Sequence, residues 1–298
     1  MSRIAFCWTN GIKHKDRFDR WNDGLRAALR LIEAEHEVTY HEPDEVLPTV
    51  DWILYWEAGC TMESPEDGHK YRAILNSPQK KALLFAGGPV KDKYFQGFDH
   101  IFVESKINKD EFDALGMKNS TAFGVNTDLF FPINDADKKF TTVTHGACAG
   151  WKRQHLVGQA LKEKALVFGQ YQASDPYVFE ECRKNGATVM PEQTYEETNR
   201  LLNSASVSVN CADYWGGGQR ATLEAMACDI PVVVMSDSPK NREYVEESEC
   251  GYIVNPDPQS IVIGVHTALQ MKKPKSRDYI MSKWTPEHYK NAILNVIS

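Results

Sequence analysis

Apolar positions along the chain come in short runs of β-branched and aromatic residues, separated by longer polar stretches whose apolar residues recur at helical spacing. In the first half, Arg3 to Trp8, His36 to Tyr40, Asp51 to Trp56, Lys81 to Ala86 and His100 to Glu104 read as strands. Between the first two, residues 17–33 place Phe18, Trp21, Leu25, Ala28, Leu29 and Ile32 on one helical face. The pattern restarts with strands predicted over Thr141 to Ala147, Ala165 to Phe168, Ala187 to Met190, Ala205 to Asn210, Pro231 to Met235 and Tyr252 to Val254. Strand and helix in alternation imply an α/β fold of parallel sheets covered by helices on both faces. The polar run Pro132 to Lys139, PINDADKK, reads as a linker. The expected organisation is therefore two Rossmann-like domains, 1–134 and 139–275, facing each other across a cleft, with a final segment 276–298.

One stretch concentrates the candidate chemistry. After the strand ending at Asn210, three glycines, Gly216, Gly217 and Gly218, precede a helix predicted from Gln219 to Cys228, which Asp229-Ile230-Pro231 stops. A Gly-rich turn opening a helix exposes unpaired amides at the positive end of the helix dipole, an arrangement that suits phosphate. Glu224, further into this helix, can accept hydrogen bonds from sugar hydroxyls, or pair with Arg220 one turn earlier as an ordinary surface contact. After the first strand of the second half, Lys152 and Arg153 add two cations at a strand's carboxyl end, where α/β sheets bind ligands. In the first half the corresponding loops are residues 9–15, with Gly11 and the loop histidine His14, residues 57–60 and residues 87–89.

Composition narrows the classes. The 298 residues are 42% hydrophobic and 25% charged, as in globular proteins, and the net charge of −7 argues against nucleic-acid phosphates as the main partner. No apolar run reaches 18 residues and the first residues lack the apolar core of a leader, so no transmembrane segment is expected and the cytoplasm is the expected location. The seven scattered cysteines form no CxxC pair, which fits a reducing compartment and points away from a zinc site. Lys13, Lys15, Arg17, Arg20 and Arg26 beside Phe18, Trp21 and Leu25 suit either peripheral contact with an anionic membrane or an ordinary core-facing helix.

Several segments together resemble the retaining family 4 glycosyltransferases of the GT-B fold. Leu223-Glu224-Ala225-Met226-Ala227-Cys228-Asp229-Ile230-Pro231-Val232-Val233 is similar to the family's LEAMA-x-G-x-PVV, and residues 243–245 with 251–256 to its following E-x-V and G-x-L-V-x-P segments. Residues 124–132 look like its G-V-D-x-x-x-F-x-P exit from the first domain, and Ser282-Lys283-Trp284-Thr285 like the start of a last helix that crosses back. The resemblance implies sugar transfer from a nucleotide diphosphate sugar to an acceptor with retained anomeric configuration. It assigns Lys152 and Arg153 to the diphosphate, Glu224 to the ribose hydroxyls, and the amides of Gly218 to Ala221 with the Thr222 hydroxyl to the phosphate and sugar pocket. The donor-binding set also takes in Gly216, Gly217, Gln219, Arg220, Met190, Gly11 and Asp213. Fixed cations and amides replace a metal, so neither metal nor cofactor is expected; the acceptor, whether glycan, lipid, protein or modified nucleic acid, is left open. One departure stands out: a glutamate that the family places eight positions before Glu224 is replaced by Gly216, with Asp213 the nearest substitute.

Two rival readings use the same residues. Gly216-x-Gly218-x-x-Ala221 followed by Asp237 fits a dinucleotide fingerprint and hence an NAD-dependent oxidoreductase, although Cys211 to Trp215 intervene between strand and glycines. The missing glutamate suits a nucleotide-sugar binder without catalysis.

Overall fold

The computed structural model describes the chain apart from residues 9–22, 43–44, 58–67, 88–89, 91–94, 172–174, 215–218 and 272–274 and the side chains at 57, 68–70 and 219. Two compact units result, Met1–Gly124 with Thr285–Ser298, and Val125–Trp284.

In the first unit, β1 (Arg3–Trp8), β2 (Glu37–His41), β3 (Trp52–Glu57), β4 (Lys80–Phe85), β5 (His100–Val103) and β6 (Asn119–Thr121) form a parallel sheet in the order β2-β1-β3-β4-β5-β6. Ile4 to Trp8 are all buried because both faces of β1 are covered. Ile4, Phe6, Leu54 and Leu84 pack on one face with Leu25, Leu29 and Ile32 of α1 (Asp23–Glu33) and with Tyr289, Ile293 and Ile297 of the C-terminal helix Pro286–Ile297. Each such side chain removed from water contributes about 1.5–3 kcal/mol. The Thr285 side chain accepts the amide of His288 and Pro286 occupies the first turn, so the helix start is capped. The other face takes Ile53, Tyr55, Leu83 and Phe85 against Ile74 of α2 (Gly68–Asn76), Phe95, and Phe112 of α3 (Lys106–Ala114). Strand β6 has no hydrophobic run; Asn119-Ser120-Thr121 is placed by its pairing with Ile101 to Val103.

The second unit contains β7 (Phe140–His145), β8 (Ala165–Gly169), β9 (Thr188–Pro191), β10 (Ala205–Asn210), β11 (Val232–Met235) and β12 (Gly251–Val254), all parallel, in the order β12-β11-β10-β7-β8-β9. Its helices are α4 (His155–Leu161), α5 (Tyr177–Lys184), α6 (Tyr195–Asn203), α7 (Gln219–Ala227), α8 (Pro239–Ser248), α9 (Pro258–Ala268) and α10 (Ser276–Lys283). The order is that of a dinucleotide-binding α/β sheet, with its reversal between β7 and β10.

The run Pro132 to Lys139 is not the domain boundary. Phe130 is fully buried, the amides of Phe131 and Ile133 donate to the side-chain oxygens of Asn199 and Asn203, and the Lys138 ammonium donates to the carbonyls of Asn203 and Ala205. Polar composition here reflects a strap fastened along α6, and the units divide at Gly124. The final segment also divides later than 276. Asp229, in the left-handed region at φ 58°, accepts from the Ser276 hydroxyl and the Arg277 amide, which holds α10 in the second unit. Among the described residues no helix is long and apolar enough to cross a membrane. The cationic positions from Lys13 to Arg20 lie outside the described residues, as do Gly11 and His14.

Candidate functional site

β7 and β10 flank the order reversal, the position at which α/β sheets of this order bind ligands beyond the carboxyl ends of their strands. Beyond β7 the chain passes Gly146 at φ 124° and a single tight turn, Gly150–Lys152, whose Gly150 amide donates to Asp175. Arg153 then adopts a left-handed conformation at φ 49°. Beyond β10 come Cys211 to Tyr214 and then α7. Two hydrogen bonds lace the loops together: the Asp213 amide to the Trp151 carbonyl at 3.0 Å, and Arg153 Nε to the Cys211 carbonyl at 2.8 Å.

Glu224 is the centre of the group so formed. Its side chain is 7% exposed, and so is that of His145 at the end of β7. The His145 Nε2 and Glu224 Oε2 atoms lie 2.5 Å apart, across 79 residues of sequence. Arg220 Nε stands 3.6 Å from Oε1, so the helical pair anticipated from sequence exists, but in a buried setting. Burial pushes the Glu224 carboxyl up; the hydrogen bond from His145 and the charges of His145, Arg220 and Lys152 outweigh it and hold the group below the usual carboxylate range. Sequence reasoning missed His145. The available signal was a polar histidine within the strand predicted over Thr141 to Ala147, which the structure ends at His145.

Arg153 faces a different carboxylate. Its two terminal nitrogens bind both oxygens of Asp237, beyond β11, at 2.7 and 2.8 Å. The hydrogen bond to Asp237 raises the guanidinium and lowers the Asp237 carboxyl despite some burial. With Nε on Cys211, Arg153 clamps the ends of β7, β10 and β11, so its charge is largely committed within the protein. Asp237, the acid of the dinucleotide reading, is likewise engaged by Arg153. Asp213 acts electrostatically on Arg153.

Thr222 does not line an open pocket. It is 1% exposed, donates its hydroxyl to Asn241 Oδ1 at 2.7 Å and accepts from Asn210 Nδ2 at 2.8 Å, while Asn241 donates to the Ser238 hydroxyl. Asn210 Oδ1 accepts the Ala212 amide in turn. This buried chain fixes α7 against the end of β10 and the start of α8, and neither Asn210 nor Asn241 was anticipated. Arg220 and Ala221 are half-buried in the first turn of α7. Met190 lies on β9, paired with Phe168 and two strands from β7. Gly216, Gly217 and Gly218 and the side chain of Gln219 lie outside the described residues.

Residues 152–271, spanning the Lys152 turn, α7 and β12, match the family model described as glycosyl transferases group 1. No curated protein matches the sequence. Among solved structures, the chain is similar to a sucrose-phosphate synthase from Thermosynechococcus elongatus, with a TM-score of 0.76 at 13% identity, covering 99% of this chain and 98% of that one. It is similar also to HepE of Anabaena, solved with UDP and glucose, with a TM-score of 0.70 at 12% identity over 100% and 99% of the two chains. WaaG, a glycosyltransferase involved in lipopolysaccharide biosynthesis, matches with a TM-score of 0.63 at 12% identity over 99% and 98%. Likeness at this identity establishes a shared fold, that of the GT-B glycosyltransferases, across the whole chain.

Proposed function

We propose that the chain is a glycosyltransferase that uses a nucleoside diphosphate sugar as donor and passes the sugar to an acceptor with retention of configuration. The observation that carries this reading is Glu224, buried yet ionised at the order reversal between β7 and β10, with Lys152 and Arg220 acting on it and a histidine fixing it. A carboxylate so held accepts the paired hydroxyls of a ribose. The cations beside it meet the diphosphate, and the amide-bearing start of α7 meets it from the helix side. The complex of HepE with UDP-glucose, a protein of the same fold, supports a UDP-sugar as the first donor to test.

In the reaction the bond from the anomeric carbon to the diphosphate oxygen breaks, and an acceptor hydroxyl oxygen bonds to that carbon on the same face while its proton passes to the departing diphosphate. Negative charge accumulates on the leaving diphosphate, where fixed positive groups stabilise it more than they stabilise the bound donor. Lys152 and Arg220, the cations that act on Glu224, are proposed for this role, while Arg153, clamped on Asp237 and Cys211, holds the Lys152 turn in position. The cations do the work of a metal, so transfer proceeds in a chelator. The acceptor is a separate hydroxyl compound whose class the first unit selects.

The test is incubation of the full chain with a panel of UDP-, GDP- and ADP-sugars, following release of free nucleoside diphosphate. Slow hydrolysis of one donor, giving the sugar in its original anomeric form, is the expected result. Tight donor binding without release over days would favour the binder without catalysis, and stabilisation by NAD alone would support the dinucleotide reading.

A further inference from the structure

We infer that His145 is the positioning residue of the Glu224 carboxylate: fixed at the end of β7, it takes one carboxylate oxygen so that the other is presented to the diol of the nucleotide ribose. The inference rests on the reading of Glu224 as the contact for that diol.

The ionised carboxylate only accepts hydrogen bonds, so the proton between the pair sits on His145 Nε2. That bond occupies Oε2. Oε1 lies 3.6 Å from Arg220 Nε, beyond ordinary hydrogen-bond length, and so keeps acceptor capacity for hydroxyls. The imidazole has little freedom. It stacks on Phe168 of the neighbouring strand, with ring centroids 5.4 Å apart and planes at 19°, and the two residues are in register across the sheet. Behind it, Gly169 approaches Gly146 so closely that a Cβ at 169 would stand 1.8 Å from the Gly146 carbonyl oxygen. The strand end that carries the ring is therefore pinned by backbone as well as by stacking. Among the described residues, the charged and titratable groups facing Glu224 are His145 from β7, Lys152 from the turn after it, Arg220 from the same helix, and the Cys228 thiol beyond the helix end. Of these, His145 supplies the hydrogen bond.

A positioning role separates two ligands that share a diphosphate. His145→Phe keeps the stack and removes the donor; His145→Gln restores a nitrogen donor near the place of Nε2. Calorimetric titration of the full-length variants with UDP, GDP, ADP and inorganic pyrophosphate is expected to show about a tenfold or greater loss of nucleoside diphosphate affinity in His145→Phe. Pyrophosphate affinity should be unchanged and His145→Gln close to wild type. The acid limb of nucleotide binding should move to higher pH in His145→Phe, because burial of Glu224 is then opposed by fewer groups. Equal nucleotide affinity in wild type and His145→Phe, or parallel loss of nucleotide and pyrophosphate, would overturn the inference while leaving the donor reading intact. A wild-type protein that binds no nucleoside diphosphate would overturn both. Should His145→Phe fail to fold, the imidazole NMR signals of the wild-type protein decide: saturation with nucleotide must shift the His145 signals, and unmoved signals contradict the role.

Discussion

Glu224 shows how a side chain with almost no water around it can keep its charge. Desolvation alone would raise it, and one short hydrogen bond with two neighbouring cations reverses the sign. Since its folded value is lowered, the stability it contributes is present above the unfolded carboxylate range and is lost as pH falls through the folded value. Thermal melts should therefore show a larger drop in Tm between pH 7 and pH 4 for the wild type than for Glu224→Gln; equal drops would contradict the linkage. Asp237 has the same sign, but its carboxylate is 45% exposed and solvent screens the pair. Asp237→Asn should accordingly cost about 1 kcal/mol or less in denaturant unfolding. It should weaken nucleotide binding less than Lys152→Ala, because Arg153 positions the turn and Lys152 acts at the Glu224 group. A larger loss in Asp237→Asn would move the diphosphate contact to Arg153.

At the level of elements, α7 is oriented by a polar network rather than by its amphipathic face. Thr222 is the middle of that network, so Thr222→Val removes one hydrogen-bond partner from each of Asn210 and Asn241 and should cost about 1–3 kcal/mol in urea unfolding. Thr222→Ser should recover most of it; a neutral Thr222→Val would show the network to be incidental. The strands were legible to within a residue or two because each central strand carries a compact run of small, β-branched or aromatic residues, as Ala205 to Val209 and Ile4 to Trp8 illustrate. Asn119 to Thr121 were not, since an edge strand of three polar residues is set by its partner alone. Pro132 to Lys139 misled for a related reason: a strap whose backbone bonds to asparagine side chains needs no hydrophobic pattern of its own. The Lys152 turn and Glu224 could be read from local motif. The pairing of Glu224 with His145 and of Arg153 with Asp237 could not, because it depends on strands that are neighbours only after the sheet reverses its order.

The whole chain is acidic, with a net charge of −7, so the proposed donor binding has to draw on a local cluster and not on a general field. That cluster stands at the order reversal of the second sheet, where the group 1 glycosyl transferase match also falls. If the cations suffice, donor turnover should be unchanged in excess EDTA, and a loss restored by magnesium or manganese would reassign the charge stabilisation to an ion. The central claim is most directly tested by titrating the full-length protein with UDP, GDP, ADP and NAD in a calorimeter. The account predicts one nucleoside diphosphate binding at a single site, with affinity weakened about tenfold or more in Lys152→Ala and in Glu224→Ala, and no heat from NAD. Heat from NAD alone, or nucleoside diphosphate affinity indifferent to both substitutions, would contradict it.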